Sequence, residues 1–126
     1  MIEEVLTDKA PRPIGPYSQA IRSSNMLFVS GQLPIDPTSG RIVDGGIEEQ
    51  TRRVLENIRA IVEAAGFSMS NIVIVYVYLR DLSLFEGFNR VYAEYFRAPR
   101  PARVVVAVSD IPKGALLEVS AIACRG

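Results

Sequence analysis

The stretch Asn71-Ile-Val-Ile-Val-Tyr-Val-Tyr-Leu79 decides the fold class of this chain. Its odd and even positions are equally apolar, whereas a strand with one face in water alternates apolar and polar side chains. The stretch therefore predicts a strand that is covered on both faces. The run 103–108, Arg-Val-Val-Val-Ala-Val, has the same character and predicts a second strand of this kind.

Two amphipathic helices are predicted, one before and one after strand 71–79. The first begins at Ile47, repeats apolar residues close to a 3.6-residue period, and ends before Gly66, a residue that favours helix C-termini. The second begins at Ser83, whose spacing to Glu86 matches a capping box. The predicted buried side of this second helix is aromatic and consists of Phe85, Phe88, Tyr92, Tyr95 and Phe96.

Shorter strands are predicted towards both ends of the chain. They lie at residues 1–7, 18–23, 26–30, 103–108 and 115–123. Because no linker divides the chain, residues 1–126 are predicted to form a single α/β (α+β) domain, a mixed sheet with two helices on one face. Residues 109–114 have turn composition, so a simple hairpin between the last two strands is one way to close the chain.

The second face of this sheet also needs cover, because two helices suffice for only one face. Another subunit is the simplest cover, so the apolar pattern favours an oligomer. The alternative is that the early strands fold back over this face.

Composition argues against several functional classes. The 126 residues have a net charge of zero and a sequence pI of about 6.3, so no basic stripe points to nucleic acid. The N-terminus lacks signal-peptide features, and no apolar stretch approaches the ~20 residues that span a bilayer, so we expect no membrane association. The single cysteine, Cys124, fits a reducing compartment, and we expect a cytoplasmic protein. The absence of histidine disfavours catalytic triads and zinc sites, and we predict no metal.

Two charged residues stand in predicted core strands: Arg103 opens 103–108 and Glu118 interrupts 115–123. A charge in a buried strand is costly unless a partner or a ligand compensates it. The guanidinium of Arg103 could bind a small acid through two parallel hydrogen bonds, and an internal ion pair with Glu118 or another acid explains it equally well. Glu118 either balances Arg103 or polarises a water beside a substrate, since it is the natural base in a chain without histidine.

Three further segments carry weaker signals. Gly15-Pro16-Tyr17-Ser18 and Ser30-Gly31-Gln32 lie at strand ends, where glycine lets a ligand approach the backbone, although ordinary turns explain them too. Asn89 lies on the apolar side of the second helix, where a structural hydrogen bond is its default explanation.

Five segments carry a family resemblance over essentially the whole chain: Ile14-Gly-Pro-Tyr-Ser-Gln19, Val29-Ser-Gly-Gln-Leu-Pro34, Asn57-Ile-Arg-Ala-Ile-Val-Glu-Ala-Ala-Gly66, Pro101-Ala-Arg103 and Leu117-Glu-Val119. In this order and spacing they resemble the Rid family, also called YjgF-like, of imine and enamine deaminases. The resemblance implies a homotrimer with a chorismate-mutase-like fold and sites in the clefts between subunits. It also implies that the last strand lies between the first core strand and strand 72–79, which replaces the hairpin.

The activity that the resemblance implies is hydrolysis of 2-imino acids such as 2-iminopropanoate and 2-iminobutanoate, or of their enamine tautomers, to 2-keto acids and ammonia without a cofactor. By this resemblance Arg103 binds the substrate carboxylate and Glu118 orients the attacking water. The other pocket positions that match the family are Tyr17, Ser30, Gly31 and Asn89, together with the backbone of Val105. Many members carry cysteine where this chain has Val105, so a thiol cannot be essential here.

Two other functions compete with the deaminase. The same arginine-lined cleft could belong to a sensor or binding protein that holds a keto acid without reaction. A ribonuclease or translation-inhibitor activity is disfavoured by the zero net charge and the missing histidine.

Overall fold

One six-stranded sheet carries two helices on one face in a mixed α+β fold, and the computed structural model describes residues 1–126. The strands are β1 (Ile2–Val5), β2 (Ala20–Ser23), β3 (Met26–Gln32), β4 (Ile72–Leu79), β5 (Ala102–Ala107) and β6 (Leu117–Cys124), and the helices are α1 (Ile47–Ala64) and α2 (Phe85–Tyr95). Neither helix combines the length and apolarity needed to cross a membrane.

The strand order is β1-β2-β3-β6-β4-β5, and every pair is antiparallel except β4 with β5. The last strand, β6, therefore lies between β3 and β4, as the family resemblance implied. The simple hairpin between β5 and β6 is wrong. The reason is that α2 returns the chain to the free edge of β4, where β5 pairs in parallel, and this leaves β4 between the two closing strands.

The core lies between the helices and one face of the sheet, which we call the helix face. Alternate residues of β4 and β6 point into it and are almost completely buried: Val75, Val77, Leu79, Leu117, Val119 and Ala121. Opposite them α1 and α2 bury Val54, Leu55, Ile58, Ile61, Val62 and Phe88. Each large apolar side chain buried in this way stabilises the fold by about 1.5–3 kcal/mol relative to exposure.

Helix α1 begins at Ile47 as predicted, and Gly66, which follows its C-terminal turn, has a left-handed φ of +83°. The last turn of α1 contains no basic residue. Arg22 of β2 donates a hydrogen bond to the carbonyl of Ala65 at 3.3 Å, and Arg125 donates one to the carbonyl of Gly66. These two guanidiniums bring positive charge to the negative end of the helix dipole, a contact worth about 0.3–1 kcal/mol each.

The predicted capping box of the second helix is wrong. The helical segment starts one residue before Ser83, with a short 3₁₀ helix at Leu82–Leu84, and α2 proper begins at Phe85. The cap is Asp81, whose carboxylate accepts a hydrogen bond from the backbone N–H of Ser83 at 2.8 Å. A carboxylate at the N-cap satisfies a free backbone donor, which displaces Ser83 from that role.

The opposite face of the sheet, which we call the open face, is mostly apolar, and neither helix packs on it. Cross-strand partners form three rows of side chains on this face. The rows are Phe28, Ile122 and Ile74; Ser120, Tyr76 and Val104; and Glu118, Tyr78 and Val106. Three of these apolar side chains, Phe28, Val104 and Val106, are 42%, 42% and 41% exposed. Strands β1 and β2 extend the same sheet sideways, so the early strands do not fold over this face.

Candidate active site

The two charged strand residues lie on opposite faces of the sheet. Arg103 pairs in register with Val75, whose side chain is buried on the helix face. Glu118 pairs with Tyr78 on the open face. Neither residue takes part in any of the four salt bridges of the chain, so the internal ion pair between them is wrong.

Arg103 is held by the aromatic side of α2. Its guanidinium carbon lies 4.8 Å from the ring centroid of Tyr92, 5.5 Å from that of Phe85 and 5.8 Å from that of Phe88. One N–H of Arg103 donates to Oδ1 of Asn89 at 2.7 Å. Because cation–π contact and a single hydrogen bond leave most of the five N–H donors unused, the guanidinium is oriented without being neutralised.

The cavity around this arginine has a volume of about 500 Å³ and is lined by Asn89, Tyr92, Ala93, Arg100, Pro101 and Arg103, which we call the Arg103 half-site. No carboxylate is among the lining residues. Tyr92 is 4% exposed, and its hydroxyl has no hydrogen-bond partner in the chain. Burial raises the pKa of Tyr92, and the positive charges of Arg103 and Arg100 act in the opposite direction.

Glu118 belongs to a second cavity of about 410 Å³ on the other side of the sheet, which we call the Glu118 half-site. It is lined by Pro11, Arg12, Ile14, Tyr17, Gln19, Ser30, Gly31, Gln32, Leu33, Ile35, Pro112 and Glu118. The Glu118 carboxylate is half-buried and makes no hydrogen bond within the chain, and burial raises its pKa. A carboxylate in this state accepts protons more readily near neutral pH than one in water.

Gly31 leaves the space that the Glu118 carboxylate occupies. The register of β3 against β6 shifts between Val29 and Gln32, which marks a β-bulge at this position. A Cβ atom on residue 31 would overlap the Glu118 side chain, so only glycine lets that carboxylate lie over the β3 backbone.

Ser30 and Tyr17 border the same carboxylate. The Ser30 hydroxyl donates to the carbonyl of Ser18 at 2.6 Å, so its proton is engaged and its oxygen can still accept a hydrogen bond. The hydroxyl of Tyr17 accepts a hydrogen bond from the backbone N–H of Ile14 at 3.4 Å, and its ring is 47% exposed. The sequence-predicted residues Tyr17, Ser30, Gly31 and Glu118 are thus brought together.

Of the remaining predicted residues, Arg103 and Asn89 line the other half-site, and Val105 is not among its lining residues. Asn89 does form a hydrogen bond, and its partner is Arg103, so its structural bond serves the candidate site. Val105 lies two residues beyond Arg103 on the same side of β5 and packs partly buried against the core. Since β5 is an edge strand, part of its backbone has no strand partner.

Gln19 also lines the Glu118 half-site, although the sequence did not predict it as a site residue. Its side chain is 1% exposed. Its Oε1 accepts from the N–H of Thr7 at 2.7 Å, and its Nε2 donates to the carbonyls of Thr7 at 3.0 Å and Pro11 at 2.9 Å. Gln19 thereby fixes the segment that carries the lining residues Pro11 and Arg12. In the sequence, Gln19 stands in the segment Ile14-Gly-Pro-Tyr-Ser-Gln19 that carries the family resemblance, but nothing there indicates these hydrogen bonds.

Metal ligands do not accompany either cavity. No group of three or more Cys, Asp or Glu side chains in the chain is arranged to hold a metal ion.

Comparison with known proteins identifies the family. Residues 7–125 match the model of the family described as endoribonuclease L-PSP. The chain belongs to this family, which is the YjgF-like or Rid family, and the resemblance stated from the sequence is confirmed.

Individual relatives match over almost the full chain. A RutC family protein of Pyrococcus horikoshii is 57% identical over 125 residues, which are 99% of each protein. The human 2-iminobutanoate/2-iminopropanoate deaminase is 40% identical over 122 residues, which are 97% of this chain and 89% of the human protein.

Solved structures share the fold. RidA of a Psychrobacter species is 41% identical and superposes with a TM-score of 0.94 over 98% of this chain and 99% of that one. Escherichia coli TdcF, solved with bound serine, is 40% identical and superposes with a TM-score of 0.94 over 98% and 99% of the two chains.

Proposed function

We propose that this protein hydrolyses reactive 2-imino acids such as 2-iminopropanoate and 2-iminobutanoate, and their enamine tautomers, to 2-keto acids and ammonia. The observation that carries the proposal is the Arg103 guanidinium, which is oriented by Asn89 and three aromatic rings and is paired with no carboxylate. An arginine in this state is a preorganised site for a small carboxylate. Relatives that are 40–43% identical are named as deaminases of these two imino acids, which supports the same substrate class here.

The complete site, in this proposal, forms between two copies of the chain. Within one chain the Arg103 half-site and the Glu118 half-site open on opposite sides of the sheet, so neither has both charges. The open face that carries Glu118 also exposes apolar side chains of Phe28 and Val104, which a second copy would remove from water. We infer a homotrimer with a chorismate-mutase-like arrangement of single domains spanning 1–126, in which one copy supplies Arg103 and its neighbour supplies Glu118.

The reaction follows from these two charges. The imino acid carboxylate binds the free N–H groups of Arg103, while the imine carbon faces Glu118 of the neighbouring copy. The imine reacts in its protonated form: Glu118 takes a proton from water as the water oxygen forms a bond to that carbon, and the C=N electron pair moves to nitrogen, giving a tetrahedral carbinolamine. Glu118 then returns the proton to the nitrogen, the C–N bond breaks as the hydroxyl oxygen forms the carbonyl of the keto acid, and the departing ammonia takes the hydroxyl proton and leaves as ammonium.

The raised pKa of Glu118 suits both proton transfers. A base whose pKa lies closer to the working pH accepts a proton in the first step at a lower cost in free energy than a weaker base does. It can still release that proton in the second step. Imines hydrolyse in water without a catalyst, so holding the carboxylate and the water in position is sufficient for acceleration. In the proposal the acceptor lone pairs of Ser30 bind the water or the imine N–H, Tyr17 closes one side of the pocket, and the Val105 backbone borders the substrate.

The test is ammonia release from 2-iminopropanoate generated in the assay by an amino-acid oxidase. We expect the protein to raise the rate of ammonia release above the spontaneous rate in proportion to its concentration. If the protein instead binds 2-oxobutanoate while the spontaneous rate stays unchanged, it is a metabolite-binding protein and the deaminase proposal is wrong.

A further inference from the structure

A second arginine lines the Arg103 half-site. Arg100 borders the same cavity, and its Nε donates to the backbone carbonyl of Phe96 at 3.1 Å, which fixes the direction of the side chain. Like Arg103, it takes part in none of the salt bridges of the chain. The cavity therefore has two guanidiniums and no carboxylate in its lining.

Two unpaired positive charges on one cavity repel each other unless an anion lies between or beside them. Only two residues, Pro101 and Ala102, separate the two arginines in sequence, and Pro101 restricts the backbone between them. Both arginines line this cavity together with the buried Tyr92, so the two positive charges border one space. One carboxylate satisfies a single guanidinium fork, so the second arginine exceeds what a monocarboxylic substrate needs.

We propose that Arg100 determines substrate specificity by binding a second carboxylate, so that the preferred substrates are dicarboxylic 2-imino acids such as 2-iminosuccinate and 2-iminoglutarate. This inference rests on the proposed deaminase function. Arg103 holds the carboxylate next to the imine carbon, and Arg100 holds the one at the far end of the side chain. The reaction that supplies such a substrate is an oxidation or elimination that acts on an acidic amino acid.

The experiment compares kcat/KM for 2-iminosuccinate and for 2-iminopropanoate, each generated in the assay by an oxidase, in the wild type and three variants. We expect the wild type to prefer the dicarboxylic imine, and Arg100→Gln to lower the ratio of the two kcat/KM values by about tenfold, the usual effect of losing one charge-assisted hydrogen bond. Arg100→Lys keeps the charge and should retain part of the preference.

Arg97→Gln is the matched control, because Arg97 is an exposed arginine of the same connection that lines a different cavity. It should leave the ratio as in the wild type. An equal loss on both substrates in Arg100→Gln would overturn the inference, since Arg100 would then act only through Arg103 or the fold. An unchanged ratio with a dissociated oligomer would overturn it as well, since Arg100 would then bind a neighbouring chain.

Binding of the keto acids separates this inference from the proposed function. Calorimetry with 2-oxoglutarate and 2-oxobutanoate needs no turnover. If no imine is accelerated, the proposed function fails, and a preference for 2-oxoglutarate that Arg100→Gln removes still supports the second carboxylate site. Equal affinity for the two keto acids in the wild type contradicts that site, whatever the catalytic result.

Discussion

The Arg103 half-site and the Glu118 half-site hold their charges in different ways. The guanidinium of Arg103 stays charged at every physiological pH, and aromatic rings and Asn89 orient it from within its own chain. The carboxylate of Glu118 has no hydrogen-bond partner in the chain, and burial raises its pKa, so its charge depends on pH.

This difference assigns different tasks to the two half-sites. A permanent, oriented charge suits binding, because it needs no rearrangement when an anion arrives. A carboxylate with a raised pKa suits proton transfer, because it gains and loses a proton within one reaction cycle. Substitutions in the two half-sites should therefore separate binding by Arg103, the anchor, from proton transfer by Glu118, the base.

The largest effect is expected from Arg103→Ala. Removing a bidentate, charged contact should lower kcat/KM for imine hydrolysis by about 10²–10³-fold, because each charge-assisted hydrogen bond contributes about 1.5–3 kcal/mol. Sedimentation analysis should show the oligomer of the wild type. Arg97→Ala is the control and should be as active as the wild type; comparable activity in Arg103→Ala would disprove the anchor.

Glu118→Gln should mainly lower turnover. Loss of a general base reduces kcat by about 10²-fold or more, whereas the affinity for a keto acid should change only a few-fold because the anchor is intact. Timed assays of ammonia release measure kcat, and calorimetry on the same preparation measures the affinity for the keto acid. Glu63→Gln, on the exposed side of α1, is the control for removing a negative charge. A larger loss of binding than of turnover would reverse the assignment.

Gly31→Ala should cost about tenfold in kcat, because a Cβ atom there overlaps the Glu118 carboxylate and must displace it. Shortening that side chain by one methylene makes room again. Each single variant, Gly31→Ala and Glu118→Asp, should raise the free energy of activation. We therefore expect the double variant to raise it by less than the sum of the two single increases. Strict additivity in this double-mutant cycle would show that the two residues do not compete for space.

The smallest effect is expected on stability. Burial raises the pKa of Glu118 above 4.5, so the folded chain favours the protonated carboxyl. The protonated Glu118 carboxyl therefore stabilises the folded chain fully below pH 4.5. This stabilisation is lost as the pH rises through the raised pKa of Glu118. Glu118→Gln cannot ionise, so its Tm should equal that of the wild type at low pH and exceed it slightly at neutral pH. Thermal unfolding across this pH range measures the difference, and a more stable wild type at neutral pH would contradict the burial argument.

Much of the fold could be predicted from apolar patterning. The run in β4 predicted a strand with two apolar faces, and the spacing from Ile47 predicted α1. The order of the closing strands required the family resemblance, because turn composition at 109–114 is compatible with a hairpin and says nothing about which edge β5 will join. The cap of α2 was misassigned because Asp81 and Ser83 are both good caps and only the backbone geometry decides between them.

The candidate site residues came from the family resemblance, and their division between two cavities was not predicted. Whether Arg103 and Glu118 share a face depends on the registers in which β4 pairs with β5 and with β6, which side-chain types alone do not reveal. Gln19 was missed because its role depends on the path of residues 7–11, which has no periodic pattern.

The most direct test of a site shared between two copies is complementation between two inactive variants. Arg103→Ala and Glu118→Gln chains are unfolded together and refolded as a 1:1 mixture. With random assembly, a site receives Arg103 from one variant with probability one half and Glu118 from the other with probability one half, so about a quarter of the sites are intact. We predict about a quarter of wild-type activity in the mixture, and activity no higher than that of the separate variants would contradict the account.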